Sequence, residues 1–156
     1  MSMAYWLMKS EPDAFGIDDL AKRPKQTEPW NGVRNYQARN FMRDGMKKGD
    51  LAFFYHSSCA EPGIAGIVEI AHAAYPDPTA RDPESPYYDP RASADNPVWV
   101  MVDVRLKKKL KHPVALKLLK SLKPLAGMQL LQRGNRLSVL PVTKKEWDII
   151  IKLAKA

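Results

Sequence analysis

The run Trp30-Asn31-Gly32-Val33-Arg34-Asn35-Tyr36-Gln37-Ala38-Arg39-Asn40 mixes flat rings, amides and cations with hardly any aliphatic filler. A segment built for a core would repeat Leu, Ile or Val at helical or strand spacing. This one offers ring faces for stacking, amides for edge hydrogen bonds and guanidinium groups for phosphate, a combination suited to nucleobases. Its backbone reads as an irregular loop entering a helix capped by Asn35, which is compatible with ligand contact. The expectation is that Trp30 faces an open, polar-edged cavity large enough for one base.

Catalytic templates are missing. The chain has no G-x-S-x-G elbow, no phosphate-cradling Gly loop, no Cys pair, no H-E-x-x-H and no two His at metal-ligand spacing. No metal and no cofactor are expected. His56 and Ser57 stand near Cys59, but strand neighbours point to opposite faces and no carboxylate is evident to orient the imidazole. Asp77, Asp82 and Glu84 lie close together in a basic chain, which raises a metal-dependent nuclease or base-processing enzyme as the alternative. No Lys has Asp or Glu two residues before it, so the acidic-x-Lys doublet of common nucleases is absent. Turn chemistry, with Asp beside Pro accepting local backbone hydrogen bonds, accounts for these acids more simply.

The elements that must hold the Trp30 run can be read from patterning. Ala4 to Lys9 reads as a buried first strand, ended by Ser10-Glu11-Pro12 ahead of a short helix around Ile17, Leu20 and Ala21. Asn35 caps a second helix to about Asp44, and Leu51 to Tyr55 is a strand apolar on both faces. A third strand runs from Ile64 to about Ala73, with Gly66 placed for a bulge. From Tyr75 to Pro97 six of the 13 prolines occur, with Tyr87 and Tyr88 among them, which suggests an ordered functional loop. Val98 to Leu110 alternates and should be the longest strand, with Val98, Val100, Val102, Val104 and Leu106 on one face. Pro113 opens a further helix, Leu137 to Leu140 is a last short strand, and Thr143 with Glu146 forms a capping box for a final helix with Trp147, Ile150, Ile151 and Ala154 in one stripe. About five strands with unevenly spaced helices point to a mixed sheet or small barrel in an α+β domain.

The 156 residues suit a single domain spanning 1–156, and a composition of 45% hydrophobic and 27% charged residues is that of a folded chain. No apolar run is long enough for a membrane span and Met1 to Lys9 lacks the pattern of a signal peptide, so the expected location is cytoplasmic, or nuclear in a eukaryote. The lone Cys59 suits a reducing compartment, and nothing requires more than a monomer. Net charge is +8, yet residues 1–100 carry 11 basic and 14 acidic groups, while residues 101–156 hold 14 basic groups against Asp103, Glu146 and Asp148. A polyanion is therefore the expected partner, attracted by charge without being read in sequence.

The Trp30 run, taken with Tyr5-Trp6-Leu7-Met8-Lys9-Ser10-Glu11-Pro12, Phe54-Tyr55-His56-Ser57, Gly63-Ile64-Ala65-Gly66-Ile67-Val68-Glu69 and Tyr75-Pro76-Asp77-Pro78-Thr79, resembles the EVE domain family over nearly the whole chain. EVE domains are related to the YTH and PUA-like folds. The resemblance implies a small, curved, mixed β-barrel of five or six strands flanked by helices, and a non-catalytic module that reads a modified base in DNA or RNA. Lys9-Ser10-Glu11 is similar to the YTH segment after its first strand, where an Asn that hydrogen-bonds the base stands in place of Glu11. A carboxylate there would favour an exocyclic amino group, as on cytosine or adenine. Trp30 matches the cage tryptophan that follows the first helix, and Trp99, Tyr75 or Tyr87 could supply another wall, with Trp99 better suited to the core.

The expected base site is thus Ser10, Glu11, Trp30, Asn31 and Asn35, with Tyr36, Tyr55, His56, Ser57 and Tyr75 as floor or surrounding support. Arg34, Arg39 and the start of the second helix would engage phosphate, and the basic C-terminal region would extend that track.

Overall fold

The computed structural model describes residues 3–155, so Met1, Ser2 and Ala156 lie outside the described residues. The elements run β1 (Tyr5–Ser10), α1 (Pro12–Phe15), α2 (Ile17–Ala21), β2 (Thr27–Pro29), α3 (Tyr36–Asn40), β3 (Leu51–His56), β4 (Gly63–Pro76), β5 (Val100–Ala115), α4 (Leu116–Lys120), β6 (Val139–Val142) and α5 (Lys144–Ala154). Among the described residues the six strands form one mixed sheet in the order β2-β5-β4-β3-β1-β6. The end strands β2 and β6 share no ladder, so the expected barrel is here an open sheet. Among the described residues only the β1–β3 ladder is parallel, with Tyr5 opposite Leu51 and Ser10 opposite His56. Both strands therefore end at the same edge of the sheet, and the segments that leave them emerge side by side.

Alternation along the strands builds a core on each face of the sheet. Trp6, Met8, Ala52, Phe54, Val102 and Val104 pack into one apolar cluster with Trp30, while Leu7, Phe53, Tyr55, Leu140 and Trp147 pack into the other. Gly66 switches β4 between them. Ile64 and Ile67 belong to the second cluster and Ala65 and Val68 to the first, and the β4–β5 register shifts between Ile64 and Gly66. A Cβ on Gly66 would stand 2.6 Å from the Lys108 carbonyl oxygen and collide with Ile17, so the bulge requires glycine for close approach.

Several sequence expectations shift in detail. Asn35 caps α3, its Oδ1 accepting from Ala38 N at 3.0 Å, but the helix then relaxes into a π-turn over Phe41–Gly45. β4 continues to Pro76, so Tyr75 is a strand residue and the loop begins after it. Pro113 does not open a helix. It lies within β5, at a position without a pairing partner, where its missing N–H costs no ladder bond, and α4 starts at Leu116. The last strand is Val139–Val142, two residues beyond the sequence reading.

The capping box of α5 forms as expected, with Glu146 N donating to Thr143 Oγ1 at 3.1 Å and Thr143 N donating to Glu146 Oε1 at 3.0 Å. It sets the helix so that Trp147 stacks on Phe53 and Tyr5 at centroid distances of 3.9 and 4.6 Å. Thr143→Ala should cost about 1 kcal/mol and lower the melting temperature by about 3 °C in a thermal scan followed by circular dichroism.

Candidate functional site

An open cavity of about 830 Å³ lies at the edge where β1 and β3 end. Lys9, Ser10 and Glu11 line it from β1 and the residue after it, Ser57 and Ser58 from the segment after β3, and Ser138 and Arg136 from the approach to β6. Two backbone bonds knit these segments, Ser57 N to Ser10 O at 2.9 Å and Lys9 N to Ser138 O at 2.8 Å. The other side is the run from Glu28 to Asn35, with Phe15, Arg23 and Tyr87.

Trp30 is anchored before it is displayed. Its N–H extends the β2–β5 pairing by donating to Val102 O at 2.7 Å, and its ring meets Phe54 edge-on at 5.4 Å. Only 8% of the residue is exposed, so most of the indole is core, and the rest contributes to the cavity wall. A ring fixed in this way offers apolar contact without losing rotamer freedom on binding.

The loop after Trp30 is held by one buried acid. Asp77, 1% exposed, accepts from Gly32 N at 2.8 Å and Arg34 Nη1 at 3.1 Å through Oδ2, and from Thr79 N at 2.9 Å and Thr79 Oγ1 at 2.6 Å through Oδ1. The expected turn role of Asp77 is present, and it also ties the Trp30 loop to the segment after β4. Asp82 likewise accepts from Glu84 N at 2.9 Å. Among the described residues no three His, Cys, Asp or Glu side chains converge as metal ligands.

This arrangement redistributes the expected roles. Arg34 lines the cavity, but its donors are taken by Tyr87 O, Val33 O, Asp77 and Thr79 Oγ1, leaving little for phosphate. Arg39 lies outside the cavity walls, donating to Val98 O and Asn40 Oδ1 beside the ring of Tyr36. Tyr36 is exposed and stacks on buried Trp99 at 4.9 Å. Tyr55 packs in the second core cluster, where burial pushes its phenol up to about 12. His56 Nε2 accepts from Ile17 N at 3.1 Å, and burial lowers its pKa, so it serves as a neutral acceptor holding α2. Tyr75 donates to Asp103 on β5, and burial together with that bond raises its pKa. Tyr36, Tyr55, His56 and Tyr75 thus stand apart from the cavity, because strand pairing and aromatic packing claim them.

Ser10, Glu11, Trp30, Asn31, Asn35 and Ser57 are brought together as expected. Their polar groups are largely uncommitted. Ser10 Oγ donates to Phe15 O at 2.6 Å and keeps its lone pairs, and Asn35 spends its oxygen on the helix cap and keeps its amino group. Glu11 and Asn31 make no side-chain hydrogen bond among the described residues. Sequence reasoning missed Lys9 and Arg136 as cavity cations. Arg23 is paired with Glu28 at 3.2 Å, whereas Lys9 and Arg136 have no ion pair or side-chain hydrogen bond among the described residues. Burial holds the Lys9 ammonium below its usual pKa. Lys9 directly precedes Ser10 and Glu11, so its type could have marked it, but Arg136 carries no local signal.

A small α+β domain with an aromatic-floored, polar-rimmed and partly cationic cavity at a strand-end edge has the form of a ligand-reading module. The chain belongs to the EVE domain family, whose model matches residues 4–153. It is similar to human thymocyte nuclear protein 1, at 47% identity over 167 residues covering 96% of this chain and 73% of that protein. A solved protein from Pseudomonas putida is 52% identical with a TM-score of 0.92, covering 97% of this chain and 99% of its own. The human THYN1 protein in complex with 5-methylcytosine containing DNA has a TM-score of 0.93 at 46% identity, with 98% of each chain covered.

Proposed function

We propose that this chain is a non-catalytic nucleic-acid-binding module that takes a modified nucleobase into the cavity floored by Trp30. The carrying observation is the anchored indole beside the unspent groups of Ser10, Glu11, Asn31 and Asn35 in a cavity of about 830 Å³. That volume falls within the range of about 300–1,000 Å³ common for small-molecule sites. The human relative bound to 5-methylcytosine containing DNA supports a modified cytosine in DNA as the first ligand to test. No helix among the described residues is long and apolar enough to cross a membrane. The module works where nucleic acid is, in the cytoplasm or a eukaryotic nucleus, and the name of the human relative supports the nucleus in a eukaryote.

The base leaves its stack to enter, at a cost of a few kcal/mol that its new contacts must offset. Its exocyclic amino group donates to Glu11 or to the Ser10 lone pairs, and its ring acceptors take hydrogen bonds from the amino groups of Asn35 or Asn31. A methyl group on C5 adds only about 1 kcal/mol of apolar burial, so preference for the methylated base should be about fivefold unless a hydrogen bond changes too. Titration of matched duplexes with cytosine or 5-methylcytosine at fixed salt measures this, and equal affinity for both would overturn the reading.

Phosphates beside the base meet Lys9 and Arg136, the cavity cations that make no ion pair or side-chain hydrogen bond among the described residues. Lys9→Ala and Arg136→Ala should each reduce the slope of log K against log salt by about 0.9, leaving the ratio between methylated and unmodified duplexes unchanged. Unaltered slopes in both variants would place the phosphate elsewhere.

A further inference from the structure

We propose that the open-edged end of β5 and the helix α4 after it form a second contact for nucleic acid, holding the phosphate backbone of the flank beside the inserted base. The inference rests on the base-reading function proposed above. From Val104 to Lys145 the chain has no Asp or Glu. Lys108, Lys111, Lys117, Lys120 and Lys123 in this stretch are exposed and make no ion pair or side-chain hydrogen bond among the described residues. Arg105 and Lys107 are paired with Glu69, and Lys109 with Asp18, so the unspent charge collects toward α4.

Strand pairing sets this charge on the same edge of the sheet as the cavity. Ser10 stands opposite His56, His56 opposite Gly63, and Gly63 opposite Ala115, one row across β1, β3, β4 and β5. Ser10 lines the cavity at one end of that row, and α4 begins at Leu116 at the other, the Leu116 N–H donating to Pro62 O at 2.9 Å. With strands about 4.8 Å apart, the row is about 14 Å long, the rise of about four base pairs. β2 covers β5 only at Asp103–Arg105, so among the described residues the outer edge of β5 beyond Arg105 has no strand against it. The α5 lysines lie elsewhere, since Val142, two residues before Lys144, pairs with Tyr5 at the opposite edge. Lysines on an open edge also deter pairing with another strand, but that role acts on self-association and leaves the salt dependence of binding untouched.

The test measures log K against log salt for duplexes of about 20 base pairs, with 5-methylcytosine at the centre or about three base pairs from the 5′ or the 3′ end of its strand. Lys111→Ala, Lys117→Ala and Lys120→Ala should each reduce the slope for the central site by about 0.9, and Lys145→Ala on α5 should leave it unchanged. In one of the two end placements the same three substitutions should have no effect, because the flank stops short of α4. The ratio between methylated and unmodified duplexes should stay constant in all of them. Unaltered slopes, or slopes reduced equally in all three placements, refute the second contact and leave the base-reading function standing. Loss of binding to phosphatidylserine vesicles in Lys117→Ala, with unaltered duplex slopes, would assign the edge to a lipid surface instead. If the unaltered protein distinguishes neither duplex, the base-reading function fails, and a contact placed by the cavity falls with it.

Discussion

Trp30→Ala should reduce the preference for methylated over unmodified duplex to parity while leaving salt-sensitive background binding in place. The two effects separate because the indole supplies ring contact, whereas charge attraction comes from cations elsewhere. The same substitution should cost about 3–5 kcal/mol of stability, as truncation of a buried Trp generally does. This follows from the ring's edge-on packing against Phe54 and its membership of the first core cluster. With domain stabilities of about 5–15 kcal/mol the variant can remain folded, and a thermal scan establishes whether it does. Trp30→Phe retains an aromatic face with a smaller void, so it should keep part of the preference and most of the stability. Equal loss of both affinities in a folded Trp30→Ala protein would argue against a base-reading cavity.

Asp77→Ala should be strongly destabilising although Asp77 lies outside the sheet. It strands the Arg34 guanidinium and removes the acceptor of Gly32 N in a region where Asp77 is fully enclosed and Arg34 is 21% exposed. Removing one partner of a buried pair costs about 3–5 kcal/mol, and the partial exposure of Arg34 places the expected loss near about 3 kcal/mol, or about 6–12 °C in melting temperature. Affinity for the methylated duplex should fall as well, because Asp77 ties the loops that carry Trp30 and Tyr87. Asp77→Asn, which keeps one oxygen acceptor, should fall between the two. The same pair of proteins decides the enzymatic alternative. Incubation of modified DNA and RNA with Mg²⁺ or Mn²⁺ should give no turnover in either, and a turnover present in the unaltered chain but lost in Asp77→Ala would end the binding-only reading.

The sequence by itself determined what is set by neighbours along the chain. The Asn35 cap, the Thr143–Glu146 box, the glycine at the β4 bulge and the alternating strand read as Val98 to Leu110, which the structure shifts to Val100–Ala115, all follow from local dihedral preference and period-two patterning. The Trp30 run reads as a recognition segment from its composition, yet Trp30, Val33 and Ala38 belong to the first core cluster while Asn31 and Asn35 line the cavity. Tertiary structure decided which of its groups remain available. Arg34 reads as a phosphate ligand until Asp77, Thr79 and Tyr87 occupy its donors, and Tyr75 reads as a cavity wall until β4 carries it to Asp103. Lys9, Tyr87 and Arg136 become neighbours of one cavity only through the parallel β1–β3 pairing, the β1–β6 ladder and the loop tied by Asp77. A side chain's type is fixed by sequence, but whether it is free to bind depends on partners distant along the chain, and strand order and register select those partners.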